Sequence, residues 1–94
     1  MNPSHGKLKE MKSMSGQDQP LAFIKKGHHA IVYRFTGGER VKNRLLTLGF
    51  TMGAEVIVQQ NSGFGPVVVM VRGSRIALGR GEANKVIVKE IYSE

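Results

Sequence analysis

Cysteine is absent from all 94 residues, which excludes disulfide scaffolds, thiolate metal sites and cysteine nucleophiles, and suits a reducing compartment. Tryptophan is absent too, and aromatic residues make up only 6% of the chain. A groove of exposed aromatics, which recognition of a proline-rich peptide requires, is therefore hard to assemble. Acid is scarce: 7 Asp and Glu stand against 14 Lys and Arg, for a formal net charge of +7. The longest plain apolar run is Val67 to Val71, far below the ~18–20 residues that a bilayer span needs. The N-terminus carries neither the apolar stretch nor the small-residue cleavage site of a secretory signal. The expected location is the cytoplasm.

What remains is a basic chain with 40% hydrophobic residues, enough for a small core. A domain near this size buries only ~60–65% of the surface its unfolded chain exposes, so that core has to pack efficiently. Residues 1–19 are polar and small, without sustained periodicity, and read as a disordered tail; residues 20–94 read as one domain. Ala30 to Phe35 (AIVYRF) is rich in β-branched and aromatic residues between glycines and reads as a strand. In Glu39 to Leu48 (ERVKNRLLTL), Val41, Leu45 and Leu48 recur at helical spacing. Arg40, Lys42, Asn43 and Arg44 fall off that stripe, which makes one short amphipathic helix after the first strand. Glu39 complements its dipole, and Gly49 can take the left-handed conformation that ends it.

From Ala54 onward valines and isoleucines alternate with polar residues in a series of short strands. Val56 and Val58, then Val67, Val69 and Val71, then Ile76 and Leu78, and finally Val86 and Val88 mark the inward faces. Gly53 reads as a turn glycine, and Gly73-Ser74 as the two-residue turn of a hairpin. About five strands with one helix argue for a mainly β, nearly closed barrel, an architecture that hides its edges.

Catalysis needs a reactive group beside an activating partner. The single aspartate, Asp18, lies in the expected tail, and Glu39, Glu55, Glu82 and Glu90 read as separate surface carboxylates, so the chain is not expected to be an enzyme. His28-His29 is the best metal candidate, because imidazole binds ferrous iron and zinc. Adjacent residues on an extended chain point to opposite faces, so weak transition-metal binding is the most the pair supports, and no cofactor is assigned. The glycines form no phosphate-binding signature. Phe64, flanked by Gly63 and Gly65, has little local chain to bury it and is either folded back or offered to a partner.

The segment GGERVKNRLLTLGFTMGAE from Gly37 to Glu55 is followed by V-x-V, a Gly-Pro loop, V-x-V-R-G, I-x-L and V-I-V. This ordered set resembles the FeoA family of bacterial ferrous iron uptake. Met52 stands where the family usually has proline and leaves Gly53 to make the turn. The resemblance implies an SH3-like barrel with an accessory, regulatory role at the cytoplasmic GTPase domain of the FeoB transporter. Arg40, Lys42, Asn43, Arg44, Phe64 and Gly65 are the residues expected at that partner, and no specific nucleic acid is expected. The alternative is a basic barrel that binds nucleic acid, since such folds often do.

Overall fold

The computed structural model describes residues 13–14 and 17–92. The strands are β1 (Ser13–Met14), β2 (Gln19–Pro20), β3 (His29–Phe35), β4 (Glu55–Gln60), β5 (Val67–Val71), β6 (Ser74–Leu78) and β7 (Val86–Tyr92). A 3-10 turn (Leu21–Phe23) precedes β3, α1 (Glu39–Thr47) follows it, and a single helical turn, α2 (Arg80–Ala83), lies between β6 and β7. Hydrogen-bonded neighbours run β6, β5, β4, β3, β7, all antiparallel, with β1 and β2 both pairing with β7. Leu78 on β6 and Val86 and Val88 on β7 come from distant strands of this path, yet they share one buried cluster. The sheet is therefore curled on itself as a small barrel.

The period-2 pattern sets the inner face. Ala30 and Val32, Val56 and Val58, Val67, Val69 and Val71, Leu78, and Val86 and Val88 are all buried around Leu21, Ile24, Leu45 and Phe50. One extra residue of β3 falls between Val32 and Arg34 opposite β7. Such a bulge switches the face to which later residues of the strand point, and so Phe35, odd-numbered on an even-numbered inner face, packs against the core. A second register shift lies between Val58 and Gln60.

Helix α1 buries Leu45 and rests Val41 and Leu48 against the core. Its end is a Schellman motif: Phe50 N–H donates to Leu45 O and Gly49 N–H to Leu46 O, each at 3.0 Å. Gly49, at φ 107, supplies the left-handed residue that this motif requires. The turn α2 forms although Gly79 and Gly81 disfavour helix. Burial of Ala83, and side-chain bonds from Glu82 to α1 and from Arg80 to the barrel, offset that propensity.

Two sequence expectations change. The hairpin turn is Arg72-Gly73, not Gly73-Ser74, because Val71 is paired with Ser74 and Val69 with Ile76. Arg72 and Gly73 take φ 50 and φ 81, a primed turn that twists with the strands. The expected register would have set Arg72 directly opposite Arg75, and like charges in that position repel. The second change concerns the tail. Ser13–Met14 and Gln19–Pro20 lie along β7, and Asp18 reaches Lys89 Nζ at 3.5 Å and Arg34 Nε at 3.8 Å. The rest of the expected tail, 1–12 and 15–16, is outside the described residues.

Candidate partner-binding surface

The helix presents the cations that the sequence singles out, in two different states. Arg40 and Asn43 are exposed, and Lys42 is half-buried. Arg44 is not a free charge: its Nε donates to the Glu82 carboxylate on α2. That hydrogen bond holds the Glu82 carboxyl below its ordinary range and holds the Arg44 guanidinium above its own. Arg44 therefore clamps α1 to α2, and Arg40 and Lys42 are the other two cations of the helix. The Asn43 carbonyl accepts from Thr47 Oγ1 at 2.9 Å.

The second element is the loop between β4 and β5. Phe64 is 79% exposed, between Gly63 at φ 102 and Gly65 at φ 78. The side chain of Asn61, which sequence reading passed over, donates to the carbonyls of Ala22 and Ile24 at 2.8 and 2.9 Å. Its Oδ1 accepts from Arg80 Nη2 and from Gly63 N–H. Arg80 Nη1 also donates to Ala22 O at 3.3 Å. Residues near 22, 61 and 80 are thereby fixed together, and Phe23, 66% exposed, is displayed beside them. The only sequence signal for Phe23 is an aromatic next to Lys25 and Lys26. Gly53, at φ 86, and Gly73 make turns.

His28 and His29 do not converge. His28 Nδ1 contacts Glu90, a carboxylate that is itself buried, while His29 Nδ1 contacts Glu55 at 2.6 Å. Glu55, Glu82 and Glu90 are thus engaged side chains rather than the solvated carboxylates expected from sequence. Among the described residues no group of three or more His, Cys, Asp or Glu could hold a metal ion, and no helix is long and apolar enough to cross a membrane. Glu55 and Glu90 are paired with imidazoles and Glu82 with a guanidinium, each in a separate place.

Comparison with known proteins agrees with this architecture. A protein of Methanocaldococcus jannaschii named Fe(2+) transport protein A is 39% identical over 71 residues, spanning 76% of this chain and 85% of its own. The crystal structure of an iron uptake regulatory protein, FeoA, superimposes with a TM-score of 0.74 at 32% identity, covering 79% of this chain and 99% of that one. Stenotrophomonas maltophilia FeoA, solved in complex with zinc and described as an SH3 domain protein, gives a TM-score of 0.65 at 27% identity over 79% of this chain and 95% of its own. The barrel is SH3-like, and the FeoA domain model matches residues 19–90, from β2 into β7. This chain belongs to the FeoA domain family.

Proposed function

We propose that this chain is a non-catalytic accessory protein of ferrous iron uptake that works in the cytoplasm by binding the GTPase domain of a FeoB-type transporter. The observation that carries the reading is the family match over residues 19–90, which spans nearly the whole barrel. The surface supports it: Arg40 and Lys42 on α1 and Phe64 with Gly65 on the loop offer cations and an exposed ring. Such a surface suits an acidic protein face, which it finds by electrostatic steering and holds through an aromatic anchor. Iron is the cargo of the partner and needs no resident site in this barrel.

The test is uptake of ferrous iron by cells that lack the chain and are complemented with either the wild type or the double variant Arg40→Glu, Lys42→Glu. Arg44 is left intact, because a carboxylate there would face Glu82. The double variant should fold normally and restore several-fold less uptake. Equal uptake with and without the wild-type chain would contradict the reading. One observation favours a second reading, a nucleic-acid-binding barrel: exposed Phe23 and Phe64, with exposed Lys25 and Lys26 shortly after Phe23 in the chain, have the ingredients of a stacking platform.

A further inference from the structure

Four large hydrophobic side chains are exposed among the described residues, Phe23, Tyr33, Met52 and Phe64, and two of them, Phe23 and Phe64, are set outward by the backbone around them. Phe23 is the last residue of the 3-10 turn whose other members, Leu21 and Ala22, are buried, as is Ile24 after it. Only the ring of Phe23 is turned outward. Phe64 is held between two left-handed glycines and ahead of Pro66.

Neither ring sits on loose chain. Asn61 Nδ2 binds the carbonyls on both sides of Phe23, and Ser62 Oγ donates to the carbonyl of Phe64 itself at 2.8 Å. Arg80 ties the same two segments from below through Ala22 O and Asn61 Oδ1. These bonds order the backbone beneath both rings before any partner arrives, which removes part of the loop-ordering cost of binding.

Charge completes the pattern. Lys25 and Lys26 are exposed, and Arg80 spends its guanidinium on carbonyl oxygens, with its buried Nε unpartnered among the described residues. The segments 19–27, 59–66 and 79–81 contain three cations and no acidic residue. The two carboxylates that adjoin these segments in sequence are both engaged, Asp18 with Lys89 and Arg34 and Glu82 with Arg44.

We propose that the exposed rings of Phe23 and Phe64, carried on two segments that Asn61 stitches into one corner, anchor the partner interface, and that its occupant is an acidic segment of the partner protein carrying apolar side chains. This rests on the transporter reading and identifies where on the barrel the contact is made. Nucleic acid fits the corner less well. Affinity for nucleic acid rises with the number of phosphates neutralised, and the corner offers two exposed lysines for that, whereas two exposed rings beside two lysines match apolar side chains flanked by carboxylates.

The full chain, labelled with 15N, is titrated with the purified GTPase domain of the cognate transporter, in parallel with Phe23→Ala, Phe64→Ala and the pair Lys25→Glu, Lys26→Glu. Wild-type amide shifts should centre on residues 21–26 and 61–65. Each Phe variant, with its melting temperature unchanged, should bind about tenfold more weakly through faster dissociation. The Lys variant should associate more slowly, and added salt should narrow the gap. Wild-type binding to the domain with both Phe variants within twofold of it would overturn the corner and leave the transporter reading standing. Failure of the wild type to bind the domain would refute that reading and the corner with it. Corner shifts produced at physiological salt by a single-stranded oligonucleotide, and not by the domain, would reassign the site to nucleic acid.

Discussion

Asn61 donates its side-chain amide to the Ala22 carbonyl at 2.8 Å across 39 residues of chain. One side chain thus joins the β4–β5 loop to the turn before β3. Removing it takes the side-chain donor from the Ile24 carbonyl, leaves the Ala22 carbonyl to Arg80 Nη1 alone, and frees Arg80 Nη2. Asn61→Ala should destabilise by ~1–3 kcal/mol, measured by urea unfolding, and should speed amide exchange in residues 21–26. Unchanged exchange there would show that the stitch does not hold the corner.

The Arg44–Glu82 pair predicts an acid dependence. Arg44 holds the Glu82 carboxyl below its ordinary range, so the folded state binds that proton less tightly than the unfolded chain. The pair's stabilisation is fully present above the unfolded glutamate value, ~4.3, and is lost as pH falls through the lower folded value. Because both groups are solvated, the effect is small. The wild type should melt above Glu82→Gln at pH 7 and converge with it in strong acid. A gap that persisted in acid would mean that the charge on Glu82 is not its source.

Arg72 is the one non-glycine residue at positive φ among those described. Left-handed backbone costs an ordinary L-residue roughly 1–2 kcal/mol, whereas asparagine before glycine is favoured in this turn. Arg72→Asn should therefore stabilise the barrel by ~0.5–1 kcal/mol, although it gives up a 3.4 Å contact with Thr51 Oγ1. A lower unfolding midpoint would contradict the turn assignment.

Leu45 is fully buried at the centre of the face that α1 turns to the barrel. Leu45→Ala should cost ~2–5 kcal/mol, read from the shift in urea midpoint at constant slope. An unchanged midpoint would place the helix face elsewhere.

Periodic features were legible in the sequence. The spacing of Val41, Leu45 and Leu48 and the alternation through β4 and β5 reflect repeated burial, and Gly49 marks a stop with a steric cause. Features made by one residue or by distant partners were not. The bulge that brings Phe35 inward leaves no local period, and neither do the two-residue strands β1 and β2. His28–Glu90 and Arg44–Glu82 join residues 62 and 38 positions apart, so each glutamate looked like an ordinary surface charge. Phe64 was identifiable by its glycines. Phe23 was not, because its exposure depends on how Leu21, Ala22 and Ile24 pack around it.

A barrel that acts by binding one protein and a barrel that binds nucleic acid differ in what they hold at physiological salt. The most direct measurement is calorimetric titration of the wild-type chain against the GTPase domain of the cognate transporter and, separately, against a random-sequence oligonucleotide, each at low and physiological salt. Binding to the domain should be saturable and survive physiological salt, and binding to the oligonucleotide should be weak and collapse as salt rises. Salt-resistant binding to the oligonucleotide, with none to the domain, would contradict the transporter reading.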